Sequence, residues 1–215
     1  MARIGLYFGS FNPIHIGHIQ VAILIWEKAN FDEVWFVPSP LNPHKSEETL
    51  IPANIRLKWV QLALQHQNKM KCCDVEFTLS KPSYTYKTVT HLYQQFPQHQ
   101  FEIIMGADNL HGFHSWQHAE ELAKMCPLNV YPRPGYPKPQ EPIPFNAKWF
   151  DAPLLDISAT QIRDLLWNVD LTNYNTEELL QTLVPQEIIE DLTSFFQTIK
   201  PKSHKHPGHK KGYKK

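Results

Sequence analysis

The strongest constraint on the fold lies near the N-terminus. An apolar run (Ile4, Leu6, Phe8) leads through Gly9-Ser10-Phe11-Asn12-Pro13-Ile14-His15-Ile16-Gly17-His18 into a stretch of amphipathic helical period. Strand, turn and helix follow one another with no spacer, and two histidines three apart stand at the helix start. The first turn of a helix leaves backbone N–H groups without intrahelical partners, and its macrodipole adds roughly half a positive charge there. The turn therefore reads as a phosphate site, with His15 and His18 as added donors. Gly9 is expected to take backbone angles closed to other residues, Gly17 to keep side chains out of the way, and Pro13 to fix the turn.

The same strand–helix alternation recurs along the chain. Arg3–Phe8, Glu33–Val37, Cys73–Leu79, Phe101–Met105 and Leu128–Tyr131 read as extended; Ile16–Ala29, Ala53–Gln67, Thr85–Phe96 and Ser115–Lys124 read as helical. In Ala53–Gln67 the apolar side is assigned to Ile55, Leu57, Val60, Leu62, Ala63 and Leu64. This order predicts an α/β fold, a doubly wound parallel sheet of Rossmann-like type with a ligand crevice at the strand C-terminal ends. Six prolines between Pro132 and Pro144 predict an extended surface loop. Beyond a last apolar run, Leu154–Ile157, Ser158 is a suitable N-cap for a helix over Ala159–Trp167, and Glu177–Leu183 and Gln186–Ile199 follow as helices. The expected organisation is a nucleotide-binding domain over 1–155, a small helical subdomain over 156–199 and a basic, disordered tail over 200–215.

Composition narrows the class. With 215 residues, 42% of them hydrophobic, the chain can bury one sizeable core. No signal-peptide pattern opens it, and its longest apolar stretch, Val21–Trp26, is far too short to cross a bilayer, so a cytoplasmic protein with no membrane partner is expected. Cys72, Cys73 and Cys126 lack zinc-ligand spacing and read as reduced thiols. The net charge of zero conceals an asymmetry: the tail holds seven lysines and no acid, leaving 14 basic against 21 acidic residues in the body. An acidic body argues against a specific nucleic-acid role. His111, His114 and His118 have no cysteine or carboxylate partner in the sequence pattern, and no protein metal site is assigned. Homo-oligomer formation is left open.

Five segments in order carry a resemblance: the His-x-Gly-His turn, Ser39-Pro-Leu-Asn-Pro-His-Lys45, Ser83-Tyr-Thr-Tyr-Lys-Thr88, Met105-Gly-Ala-Asp-Asn109 with Trp116, and Asp156-Ile-Ser-Ala-Thr-Gln-Ile-Arg163. Together they resemble the bacterial nicotinate-nucleotide adenylyltransferases of NAD synthesis over about residues 3–199. The resemblance implies transfer of AMP from ATP to nicotinate mononucleotide, with Mg²⁺ brought in on ATP and held mainly by phosphates. It implies catalytic roles for His15, His18, Lys45 and Arg163. It further implies ATP contacts from Gly9, Ser10, Phe11, His15, His18, Gly106, Asp108, Ile157, Ser158, Thr160 and Arg163, with Asp108 on the ribose hydroxyls. The nicotinate nucleotide is expected against Ser10, Phe11, Lys45, Ser83, Tyr84, Thr85 and Trp116, the indole stacking on the pyridinium and Thr85 receiving the carboxylate. Three positions depart from the pattern: Asn12 stands for an aspartate, Phe8 for a glycine and Ala159 for a serine, the last removing one adenine-side hydrogen bond. Pantetheine-phosphate adenylyltransferase shares the first motif and the chemistry but lacks the Pro-His-Lys and Ser-Tyr-Thr segments. A cytidylyltransferase, an amide-preferring enzyme, or a nucleotide-binding regulator without turnover are the remaining alternatives.

Overall fold

Residues along the first strand alternate between two cores, because successive side chains in a strand point to opposite faces. In β1 (Arg3–Gly9), Ile4 and Leu6 enter one buried cluster while Tyr7 enters the other. The computed structural model describes residues 1–42, 50–140, 142–154, 157–169 and 173–200. Among these, β1 is joined by β2 (Glu33–Pro38), β3 (Met70–Cys72), β4 (Gln100–Gly106), β5 (Leu128–Tyr131) and β6 (Lys148–Trp149). All pair in parallel, in the order β3-β2-β1-β4-β5-β6. Strand order reverses between β1 and β4, and the crevice outside the carboxyl ends at such a switch point is where doubly wound sheets bind ligands.

Helices cover both faces. On one, α1 (Ile16–Ala29) and α2 (Ala53–Leu64) pack with Tyr7, Val34, Phe36 and Ile104; on the other, α3 (Thr85–Gln95), α4 (Ala107–Gly112) and α5 (Ala119–Met125) pack with Ile4, Leu6, Phe101 and Ile103. The C-terminal helices α6 (Ala159–Asn168), α7 (Tyr174–Gln181) and α8 (Gln186–Ile199) send Ile162, Leu166, Leu180, Ile188, Leu192 and Phe196 into the same cluster as α1 and α2. Each such side chain contributes roughly 1.5–3 kcal/mol by leaving water. Two bonds fix the attachment: Trp59 Nε1 donates to Asp191 Oδ2 at 2.7 Å, and the Ile16 N–H donates to the Leu183 carbonyl at 2.9 Å.

The structure departs from the sequence reading at several elements. The 73–79 segment is not a strand; β3 ends at Cys72, and Val75–Phe77 forms one 3₁₀ turn, which turns Glu76 inward. The helix expected from Ser115 starts at Ala119, because Phe113–Ser115 is a separate 3₁₀ turn, Trp116 is extended and His118 is left-handed. On α2 the buried face is Arg56, Trp59, Val60, Ala63 and Leu64, whereas Leu57 and Leu62 are only partly covered. The proline-rich stretch is not wholly extended or superficial: Arg133 and Tyr136 form a bridge across a turn at Gly135 (φ 82°), and Ile143 is buried. Lys45, Asp156 and the tail beyond Lys200 lie outside the described residues.

Candidate active site

The cleft at the switch point has a volume of about 650 Å³ and draws on both halves of the sheet. The N-termini of three helices open into it, since His15, Tyr84, Thr85, Ser158 and Ala159 all line its wall. Among the described lining side chains the charges are Arg133 and Arg163 against Glu76 and Asp108. Because these described charges balance, the helix ends add to the attraction a polyanion would find here.

At the start of α1 the two imidazoles stack, with ring centroids 3.6 Å apart and planes 28° from parallel. The His15 N–H donates to His18 Nδ1 at 3.2 Å, so Nδ1 acts as an acceptor and the proton of the neutral ring sits on Nε2. His15 is 4% exposed, and burial, aided by the Arg133 charge, draws its pKa down to about 3. It is a neutral ring at physiological pH. The first-turn amides of α1 are less open than the sequence implied: Ile16 N–H is taken by Leu183 and His18 N–H by the His15 carbonyl. Phosphate contact at this helix falls correspondingly more on the imidazoles.

The two glycines serve packing. Gly9 does not have a positive φ; a Cβ there would stand 2.9 Å from the Phe11 ring. A Cβ on Gly17 would stand 3.1 Å from His15 Nδ1, so that glycine makes room for the imidazole. The left-handed turn falls instead on Phe11 (φ 43°), which is 2% exposed. Asn12 braces the turn, its Oδ1 accepting from the Ile51 N–H at 3.0 Å.

Ser158 caps α6 as expected: its Oγ accepts from Gln161 N–H at 3.2 Å, and Gln161 Oε1 accepts from the Ser158 N–H at 2.8 Å. The cap sets Arg163 one turn into the helix. There Nη1 donates to the Asn12 carbonyl at 2.7 Å and Nη2 to Thr160 Oγ1 at 3.1 Å, tying α6 to the first turn. Ile157 packs near Gly17, at the edge of the cleft.

Across the sheet, Asp108 lies in the first turn of α4, its Oδ1 3.6 Å from Arg133 Nε. Gly106 leaves room for that carboxylate, since a Cβ there would force the Asp108 and Arg133 side chains to shift. Arg133 was not singled out in the sequence, since nothing in a run of prolines signals that one arginine turns inward. Beneath it the hydroxyls of Tyr7 and Tyr131 lie 3.0 Å apart, both buried and both pushed up by burial.

On the remaining wall Trp116 is half-buried, tilted against Phe113 at 5.1 Å, with Ser83, Tyr84 and Thr85 alongside at the start of α3. The Ser83 N–H donates to the Leu41 carbonyl at 3.0 Å, joining this segment to the one that leaves β2. Glu76, also missed in the sequence, is 3% exposed and accepts from Thr88 Oγ1 at 2.9 Å. Burial raises its pKa, and the hydrogen bond from Thr88 works in the opposite direction. The described members of the sequence-derived set line this cleft except Gly106 and Ile157, the latter lining a small adjoining pocket.

Comparison with known proteins agrees with this geometry. Residues 6–165 match the cytidylyltransferase-like family. A probable nicotinate-nucleotide adenylyltransferase of Cytophaga hutchinsonii is 40% identical over 192 residues, covering 89% of this chain and 96% of the relative. Its counterpart from Bacteroides fragilis is 38% identical over 192 residues, covering 89% and 94%. A solved Plasmodium falciparum nicotinic acid mononucleotide adenylyltransferase, complexed with NaAD, has a TM-score of 0.73 at 19% identity over 91% of this chain and 96% of that one, a likeness of fold. With the His-x-Gly-His turn at the switch point and relatives of this identity over nearly their full length, the chain belongs to the nicotinate-nucleotide adenylyltransferase family of nucleotidyltransferases.

Proposed function

We propose that this protein transfers AMP from ATP to nicotinate mononucleotide, forming nicotinate adenine dinucleotide and pyrophosphate as a cytoplasmic step of NAD biosynthesis. The observation that carries the reading is the stacked His15–His18 pair at the start of α1, facing a cleft into which two further helix N-termini open. The acceptor phosphate is already largely dianionic at neutral pH, its second pKa being about 6, so no side-chain base is needed to create the nucleophile. Its oxygen attacks the α-phosphorus directly as the bond to pyrophosphate breaks. The chain's task is to hold two polyanions in line and offset charge on the transferred group.

His18 Nε2–H donates to the α-phosphate, and His15 contributes a neutral donor beside it. Arg163, the Ser158 N-cap and Thr160 receive the leaving phosphates, with Lys45 as a further cation. Gly9, Ser10 and Phe11 form the floor, while Ile157, Gly106 and Asp108 face the adenosine. Ser83, Tyr84, Thr85 and Trp116 form the acceptor side, where indole stacking and the α3 N-terminus suit a pyridinium carboxylate. Among the described residues no three His, Cys, Asp or Glu side chains gather to cage a metal, and Asp108 is paired with Arg133. That donor set fits magnesium arriving on ATP and held by phosphates and water, where it neutralises the polyphosphate.

The test is pyrophosphate release from ATP with a panel of acceptors. Nicotinate mononucleotide is expected to give a kcat/KM at least roughly tenfold above its amide, the effect of about 1.4 kcal/mol of carboxylate recognition, and far above phosphopantetheine. Equal rates with acid and amide would reject the acceptor assignment.

A further inference from the structure

Arg56, in α2, has no exposed surface, and among the described residues each of its hydrogen-bond partners is a backbone carbonyl. Nε donates to Ile51 at 2.7 Å, Nη1 to Ser10 at 2.5 Å and to Ser39 at 2.8 Å, and Nη2 to Pro40 at 2.8 Å. One guanidinium thus grips the triphosphate turn at Ser10, the Ser39–Pro40 segment beside the acceptor side, and Ile51 ahead of α2. A cation buried, as here, with no carboxylate partner among the described residues is a costly way to anchor a helix. Desolvation lowers its pKa to about 10, which leaves it charged at neutral pH.

The bonds also set peptide orientation. In a trans peptide the C=O and the following N–H point in opposite directions, so holding the Ser10 carbonyl inward sends the Phe11 N–H away from the guanidinium. Phe11 sits at φ 43°, a conformation that persists only where its surroundings impose it. Ser10, Phe11 and Ser39 all line the cleft.

Resting on the adenylyl-transfer reading above, we propose that Arg56 is a positioning residue for that reaction. It locks the triphosphate turn and the Ser39–Pro40 segment beside the acceptor side at one separation and places a fixed positive charge beneath the reacting phosphates. Each substrate still finds its own contacts when the lock is loosened, but the attacking oxygen and the α-phosphorus lose their alignment. The effect therefore falls on kcat.

Arg56→Lys keeps the charge and loses the planar fork that reaches several carbonyls at once. Its kcat is expected to fall by roughly thirtyfold or more, with KM for ATP and for nicotinate mononucleotide each within about threefold of wild type, since misplacement of about 1 Å is felt mainly in the reacting geometry. In Arg56→Ala, millimolar guanidinium is expected to restore kcat several-fold and methylammonium is not. Circular dichroism and Tm measured alongside give the folded fraction. Wild-type kcat in Arg56→Lys overturns the proposal. So does a loss that tracks the folded fraction, the absence of guanidinium rescue in folded Arg56→Ala, or failure of both variants to fold, which makes the role structural. A wild-type protein that does not turn over nicotinate mononucleotide defeats the functional reading itself; an active wild type matched by Arg56→Lys defeats only this inference.

Discussion

At the residue scale the account turns on His18. Its Nδ1 is occupied by the His15 N–H, so the donor proposed for the α-phosphate is Nε2. His18→Asn retains an acceptor near the Nδ1 position while removing the Nε2 donor. It is expected to lower kcat by roughly 10²–10³-fold, the loss of one transition-state donor of about 3 kcal/mol, with little change in Tm or in KM for ATP. Steady-state kinetics check this, and an unchanged kcat rejects the role. His15 gives a prediction about stability. Its folded pKa of about 3 lies below the reference of 6.5, so the unfolded chain binds the extra proton between those values. The His15 contribution to stability is therefore complete above pH 6.5 and is lost as pH falls toward 3, at up to about 1.4 kcal/mol per pH unit. Urea unfolding across pH 4–7 should show a shallower slope for His15→Asn than for wild type, and identical slopes contradict the assignment. The residues legible in the sequence were those inside motifs with a mechanism, such as His18 and Ser158. Glu76 and Arg133 were not legible, because each reaches the cleft through a turn that breaks the local pattern.

At the scale of elements, the long periodic helices α1 and α8 followed from their apolar spacing, and the strands β1 and β5 from their apolar runs. What failed was the interruption of pattern. The two-residue β6 is too short to carry a period, and Ser115–Lys124 kept a helical composition across a left-handed His118. In α2 the reading followed the aliphatic residues and overlooked that Arg56 lies three, four and seven positions before Trp59, Val60 and Ala63. That spacing puts a charge on the buried stripe, and a charge there signals a buried partner. The same helix yields a test of the C-terminal attachment. Asp191→Ala removes the acceptor of the buried Trp59 indole and the partner of Lys58. Leaving the indole N–H unsatisfied costs about 1–3 kcal/mol, expected as a drop of several degrees in Tm. Because Asp191 does not line the cleft, kcat should be unchanged. An unchanged Tm would show that the bond does not secure α8.

For the whole molecule, strand–helix alternation was enough to place a parallel sheet and a crevice at its carboxyl ends, since connection rules leave few other arrangements. The sequence could not show how evenly the charges of the cleft's described side chains balance, which depends on folding Arg133 and Glu76 inward. With the described charges so nearly even, the helix termini and the imidazole pair are expected to hold the polyphosphate together with Arg163, and this is the central claim. No helix among the described residues is long and apolar enough to cross a membrane. The direct test of the central claim is a crystal structure with a non-hydrolysable ATP analogue and nicotinate mononucleotide. The account predicts the α-phosphate within hydrogen-bond distance of His18 Nε2 and the pyridine ring against Trp116. A triphosphate bound away from both imidazoles would contradict it.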